Sequence, residues 1–413
     1  MCRALVISNL HAPDCVGGYE MVASECMDAL ERDCGWQIRC HCATTGRPRP
    51  GPYPPRVTAG LTGYFPRGWT HHHALLSAAR HLEYHTRAAE ILQREAAAAD
   101  ATLLFNPRRL STLQWVPAIA AARNPVAWIS DYWPAEYPDC DKLWQAAAAN
   151  RVSFSPLIML GAARVRRLYG TRKPAPSDLA CIRRAAFVSD FVLKKNAPAF
   201  PRLEEAEVIP NGIVPDLFPF APMGADRWRT WGFCGRIQPE KGVAQALDLF
   251  ARAAAGQPDL RFLLAGDMRT AHGCDMRRKI AANPVLASRV ELLGAVPRDQ
   301  LAGRFYHRVG VLLFTSQWDE PFALTVVEAM ACGAYVAATD TGGTAEIVTP
   351  RTGLLLPRTS LETTGPMPSA LPPVPTRLIE AQLAAARAAA GGKTIRQMAE
   401  KLAAFAGDAR AAS

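Results

Sequence analysis

At 413 residues the chain is two to three times a typical domain, so two domains are expected. Apolar residues make up 49% and charged residues 20%, which suits a core-forming protein and excludes a disordered one. The net charge of +10 is spread out: residues 1–210 hold 25 basic and 19 acidic residues, the remainder 22 and 18. With no basic tail, nucleic acid is not an expected partner, while anionic small molecules and membrane surfaces stay open.

The first predicted strand is Ala4–Ser8. Its apolar run is too short for a secretory signal core. The longest run elsewhere, Val309–Phe314, is far below the ~20 residues that span a bilayer. The expectation is a cytoplasmic chain that neither crosses a membrane nor is exported. Eleven cysteines without a Cys-x-x-Cys pattern, Cys34, Cys40 and Cys42 among them, read as reduced structural thiols in a reducing compartment.

Next come a loop with Gly17-Gly18 and a helix from about Tyr19 to Glu31. Strands are expected at Trp36–Cys42, Thr102–Phe105, Val126–Ile129, Ala185–Ser189 and Glu207–Ile209, with a helical stretch from His73 to Ala99. Pro215, Pro219 and Pro222 then disfavour regular structure and suggest a hinge. In the second half, strands at Trp231–Ile237, Leu260–Ala265, Val290–Leu293, Val309–Thr315 and Tyr335–Thr339 alternate with helices such as Val243–Ala255 and Phe322–Cys332. A loop at Pro357–Pro375 precedes Ala-rich helices at Thr376–Ala390 and Lys393–Ala406.

Strands that are apolar throughout imply sheets covered by helices on both faces. The expected fold class is therefore α/β, with two Rossmann-like doubly wound domains facing each other across a cleft. The domains are expected at residues 1–210 and 229–392. A linker at 211–228 would join them, and a C-terminal helix at 393–413 would pack back on the first domain.

The segment with most chemistry is TSQWDEPFALTVVEAMACG, Thr315–Gly333. A buried strand ends at Thr315, Pro321 presets the first helical turn, and Gly333 can end the helix. Free amides near Phe322, Ala323 and Leu324 would then form an anion site at the positive end of a helix, suited to a diphosphate. Glu320 and Glu328 flank it, and carboxylates accept several hydroxyl hydrogen bonds. Gly235-Arg236 and Lys241-Gly242 lie in one strand-to-helix loop, where the two cations can neutralise a leaving diphosphate. Gly342-Gly343-Thr344-Ala345-Glu346 follows the last clear strand as a glycine turn.

With GRIQPEKG from Gly235, EPFALTVVEAMACG from Glu320, GGTAEIV from Gly342 and IPNGI from Ile209, the chain resembles the retaining, nucleotide-sugar-dependent glycosyltransferases of the two-Rossmann-domain GT-B fold, group 1 or family four. The resemblance is strongest over about residues 207–357. It implies that Arg236 and Lys241 contact the donor diphosphate, that Glu320 holds the transferred sugar, and that Glu328 holds the ribose. Amides around Phe322, Ala323, Leu324 and Thr325 would complete the phosphate cradle, next to Gly235. The base would lie near Val296, and Gly17 and Gly18 would take the place of the family's glycine loop. Asp131 is the expected polar contact in the first domain.

The implied reaction is transfer from a nucleoside-diphosphate sugar to a hydroxyl acceptor by front-face displacement, without a tightly bound cofactor or a required metal. The chain departs from the family pattern at Ala323, where glycine is usual, and at Ser130, where a histidine commonly precedes the aspartate. The rival readings are an epimerase or phosphorylase on the same fold, or a non-catalytic nucleotide-sugar-binding protein. Asp139-x-Asp141 matches the short acidic motif that binds a metal in the other major glycosyltransferase fold, but in a Pro- and aromatic-rich loop it reads as structural or surface. The histidines at 71–73, 81 and 85, with Glu83 misplaced for a zincin, read as an ordinary helix. Arg164, Arg166, Arg167, Arg172 and Lys173 form a solvated face, with an anionic acceptor or the lipid headgroups at the inner side of a membrane as the alternatives.

Overall fold

The structure is a computed structural model, and it describes residues 1–12, 17–43, 52–61, 82–137, 139, 156–170, 173–358 and 375–407. The chain forms two compact units, Met1–Pro210 with Met398–Ser413, and Asn211–Gln397. Each is an α/β domain built on a parallel sheet, with the Rossmann-like winding expected from the uninterrupted apolar strands.

In the first unit the strands are β1 (Arg3–Ser8), β2 (Gln37–Cys42), β3 (Val57–Ala59), β4 (Ala101–Phe105), β5 (Pro125–Ile129), β6 (Arg184–Phe187) and β7 (Glu205–Val208), in the order β3-β2-β1-β4-β5-β6-β7. Central β4 is buried along its whole length, whereas edge strand β7 is mostly exposed. Glutamates on such an edge discourage pairing with another chain.

The second unit holds β8 (Thr230–Cys234), β9 (Arg261–Ala265), β10 (Val290–Gly294), β11 (Val311–Phe314), β12 (Tyr335–Thr339) and β13 (Leu354–Leu356), in the order β10-β9-β8-β11-β12-β13. Its two core layers lie on opposite faces of the sheet. One centres on Phe250, Phe262 and Leu313, the other on Phe305, Tyr306 and Val327. The alternation of Leu312 and Leu313 between these layers is the period-2 arrangement of a strand covered on both sides.

Helix Val243–Ala255 and strand Tyr335–Thr339 lie where the sequence pattern predicts them. Strands β3 and β13 were not legible, because three residues at a sheet edge are too few to show a period. The segment expected as the interdomain linker, 211–228, packs on the second unit. Ile213 exchanges backbone hydrogen bonds with Lys393 (2.9 Å) and Ile395 (2.8 Å), and Phe218 is buried against Tyr306. The Arg227 guanidinium donates to the carbonyls of Val309 (3.0 Å), Tyr306 (3.0 Å) and Cys332 (2.8 Å). Proline blocks helix and sheet here, but side-chain hydrogen bonds can satisfy an irregular backbone equally well. Helix Ile395–Phe405 returns the chain to the first unit, where Arg184 donates to the Phe405 carbonyl.

Candidate functional site

In the second unit the chemistry-bearing loops leave the carboxyl ends of the three neighbouring strands β8, β11 and β12. In open α/β sheets this is where ligands bind, and the winding reverses between β8 and β11. The loop after β8 is pinned to the loop after β11. Thr315 Oγ1 donates to the Gly242 carbonyl at 2.7 Å, and the Gln317 amide donates to the Glu240 carbonyl at 2.8 Å. Gly242 has φ +72°, and a Cβ there would lie 1.8 Å from the Thr315 oxygen. Only glycine fits this contact.

The third loop locks the same strand end. The Gly343 amide donates to the Glu320 carbonyl at 2.7 Å, and a Cβ on Gly342 (φ +54°) would meet that oxygen at 2.4 Å. The glycine turn expected to approach a ligand thus first approaches the backbone of Glu320. With its main chain held, the buried Glu320 carboxylate is fixed by Oε1, which accepts from Lys241 Nζ and Ser316 Oγ, both at 2.7 Å. Glu320 Oε2 has no hydrogen-bond partner among the described residues. Half-exposed Trp318 completes the rim, its ring 5.1 Å from Lys241 Nζ.

The helix beyond this loop runs from Leu324 to Ala331, two residues later than expected. Pro321 stands before it, and Ala323 is its N-cap with φ −90° and ψ 81°, outside helical geometry. Leu324 does not offer a free amide, since it donates to the Phe322 carbonyl at 3.2 Å. The amides of Phe322, Ala323 and Thr325 donate to no backbone carbonyl among the described residues, so they remain as donors at this helix end.

Glu328 lies in the second turn of that helix and is buried. Its Oε1 pairs with Arg298, and its Oε2 accepts from Tyr306 Oη at 2.7 Å. Arg298 also stands over the Phe218 ring at 5.0 Å. Burial, and secondarily the Glu328 charge, push the Tyr306 hydroxyl well above its ordinary value. The same two causes push the Cys234 thiol up to about 12. Both groups therefore stay protonated near neutral pH, and the phenol is a permanent donor to the carboxylate.

Of the expected residues in this unit, Lys241 and Glu320 are brought together, while Glu328 forms a separate cluster. Arg236 is exposed and has no ion pair among the described residues, and Val296 and Phe322 are half-buried. Arg298, Tyr306, Ser316 and Trp318 were missed. Arg298 is two residues from Val296, and Ser316 and Trp318 lie inside the motif already singled out, but nothing local marked Tyr306.

Gly17, Gly18 and Asp131 belong to the first unit. Gly17 is the N-cap of helix Gly18–Cys34, and its amide is taken by Glu20 Oε2 at 2.8 Å. Asp131 follows β5. Its Oδ1 accepts from the Trp133 amide and its Oδ2 from Asn106 Nδ2, both at 2.9 Å, with Arg108 at 3.5 Å. Neighbouring Ser130 is buried, its Oγ without a hydrogen-bond partner among the described residues. Asn106 holds a left-handed backbone, φ 37°, which asparagine tolerates better than most residues. No group of three or more His, Cys, Asp or Glu suited to a metal occurs among the described residues. Histidines 71–73 and 81, Asp141 and Arg172 lie outside those residues, as does most of the loop expected at Pro357–Pro375.

Residues 227–363 match the family model described as glycosyl transferases group 1. A stretch of 175 residues is 35% identical to a GDP-mannose-dependent alpha-mannosyltransferase of Mycolicibacterium smegmatis, covering 40% of this chain and 41% of that protein. Over 146 residues the chain is 30% identical to the gpi3 subunit of a phosphatidylinositol N-acetylglucosaminyltransferase of Schizosaccharomyces pombe, covering 35% of this chain and 31% of that one. The chain thus spans well under half the length of these curated relatives. Among solved structures, a sucrose-phosphate synthase from Thermosynechococcus elongatus superimposes with TM-score 0.67 at 18% identity, covering 100% of both chains. Anabaena HepE in complex with UDP and glucose does so with TM-score 0.62 at 18% identity, covering 98% of this chain and 99% of the other. These likenesses establish the fold that the two windings already show.

Proposed function

We propose that this protein is a retaining glycosyltransferase of the group 1, family-four type, which moves a sugar from a nucleoside-diphosphate sugar to a hydroxyl acceptor. The observation that carries the reading is the Glu320–Lys241 pair, with Glu320 Oε2 left without a partner among the described residues at the strand end. A carboxylate held through one oxygen is suited to accept sugar hydroxyls with the other. The ammonium beside it is suited to the negative charge that gathers on a departing diphosphate. Group 1 relatives that match this stretch support the reading, the mannosyltransferase among them.

In this mechanism the leaving phosphate helps to deprotonate the acceptor hydroxyl, so the main catalytic task is stabilising that phosphate. Lys241, exposed Arg236 and the Ala323 and Thr325 amides supply positive charge and donors already in place, which lowers the barrier because they need little reorganisation. Glu328 accepts ribose hydroxyls while Arg298 and Tyr306 hold it, since an ionised carboxylate has acceptor capacity beyond two bonds. Val296 lies at the base, and Asp131, Gly17 and Gly18 serve the first unit's part in the reaction. The compartment we propose is the cytoplasm, in keeping with the reduced structural thiols that the cysteine spacing suggests. Charge on the diphosphate is met by Lys241 and Arg236, so no metal is invoked.

Titration calorimetry with UDP-, GDP-, ADP- and TDP-sugars, followed by product analysis with and without added acceptors, tests the proposal. It expects donor-dependent transfer with the anomeric configuration kept, and loss of product in Glu320→Ala and Lys241→Ala. Unchanged product formation in both variants would falsify the site. An altered donor sugar formed without acceptor would establish the epimerase instead.

A further inference from the structure

The helix Pro156–Tyr169 of the first unit carries an exposed face that does not suit water. Pro156, Met159, Leu160, Ala163, Arg164, Arg167 and the following Gly170 are exposed, whereas Gly161, Ala162 and Val165 are buried. A helix lying on a soluble domain normally turns polar residues outward. Here the first two exposed turns are apolar, and the basic residues follow on the same stripe, since positions 160, 164 and 167 are neighbours on one face. Met159 and Leu160 are 41% and 52% exposed, the one adjacent pair among the exposed large hydrophobics of the described residues.

The sequence around this helix carries charge of one sign. From Lys142 to Ser177 the sequence contains no aspartate or glutamate, but it holds Lys142, Arg151, Arg164, Arg166, Arg167, Arg172 and Lys173. Such a run is far from the diffuse excess of the chain as a whole. A second copy of the chain would bring like charge against like charge. Nucleic acid would use the cations and leave Met159 and Leu160 in water. An anionic bilayer surface satisfies both: phosphate headgroups meet the guanidinium groups, and the apolar turns enter the headgroup–acyl boundary.

We propose that the exposed face of helix Pro156–Tyr169 is a docking surface for an anionic lipid bilayer. The chain lies on the membrane there and does not span it; no helix among the described residues is long and apolar enough to cross. The inference is independent of the donor site, which lies in the other unit.

Vesicle co-sedimentation of the full chain tests it, with phosphatidylcholine vesicles compared against phosphatidylcholine mixed with phosphatidylglycerol. The wild type is expected to sediment with the mixed vesicles alone and to be released as salt is raised. Arg164→Glu combined with Arg167→Glu should weaken binding at least about tenfold, because each basic residue near such a surface contributes on the order of 1 kcal/mol. Arg164→Lys with Arg167→Lys should keep it, and Met159→Ser with Leu160→Ser should weaken binding and make the remainder more salt-sensitive. The matched control is Arg277→Glu with Arg278→Glu, an equal charge change on an exposed helix of the second unit, which should bind like wild type. Circular dichroism melts identify any variant that fails to fold. Equal binding by the 164/167 pair and its control overturns the proposal, as does equal binding to both vesicle types. Displacement from vesicles by a DNA or RNA oligonucleotide at lower concentration than by lipid would also overturn it, in favour of a nucleic-acid surface.

Discussion

The two sheets are wound alike and differ in what stands on their carboxyl edges. In each, the chain moves outward over three strands, returns to the centre and winds the other way, with the reversal between β1 and β4 in one unit and between β8 and β11 in the other. At the reversal of the first unit, the Asn9 amide donates to the Asn106 carbonyl at 3.1 Å, and Asn106 reaches across to Asp131. Both Asp131 oxygens are bonded within the unit. At the reversal of the second, Lys241 meets Glu320, and one carboxylate oxygen has no partner among the described residues. The same backbone plan thus presents a carboxylate bonded through both oxygens in one case and through one oxygen in the other. Winding sets where a site can be; the loops decide its chemistry.

The sharpest way to break this comparison is to remove the cation. Lys241→Ala should lower kcat for transfer on the order of 10²- to 10³-fold, the range for losing one preorganised donor to transition-state charge. It should also lower stability, because the buried Glu320 loses its counter-charge. Steady-state rates together with thermal melts separate the two effects. Asp131→Ala should affect kcat less, and a larger loss there than in Lys241→Ala would reverse the ranking of the two sites.

Gly242→Ala comes next. The Cβ has no room beside Thr315 and the backbone is left-handed, so the loop pinning β8 to β11 must shift. A lower Tm and weaker donor binding by calorimetry are expected, and a wild-type melt would show that the contact is not required. Tyr306→Phe follows, removing one hydrogen bond to the buried Glu328 carboxylate, a change of about 1.5–3 kcal/mol in stability. In the first unit, Asn106→Ala should cost ~1–3 kcal/mol, since it removes one hydrogen bond to Asp131 and leaves the left-handed backbone without asparagine's compensation. Asn106→Gly should cost less, as glycine relieves the backbone.

The smallest effect expected is alkaline. Burial holds the Cys234 and Cys332 thiols up to about 12, above their value in an unfolded chain. Their contribution is therefore complete below the unfolded thiol pKa and is lost as pH rises above it toward the folded value. A Tm that falls between neutral pH and moderately alkaline pH, and falls less in Cys234→Ser, would agree. A flat profile would count against a contribution from these thiols.

Much of the second unit was legible because its pattern is local. Continuous apolar runs marked β9, β11 and β12, and helix Val243–Ala255 announced itself by its period. The motifs also placed Lys241, Glu320 and Glu328 at strand ends. The pairing of Glu328 with Tyr306 and Arg298 was not legible, since these partners precede it by 22 and 30 residues. The start of the helix at Leu324 was misplaced because Pro321 favours a first turn in general, while Ala323 stands outside helical geometry as the N-cap.

The diffuse positive charge marks the same division. Sequence alone determined two α/β halves, an acid-free basic stretch and the residue types of an anion site, because each is a property of neighbours along the chain. Tertiary structure decided which charges meet, which carboxylate oxygen is left without a partner among the described residues, and which face of helix Pro156–Tyr169 looks outward. Those outcomes depend on strands brought side by side and on what they bury, and no local pattern encodes them.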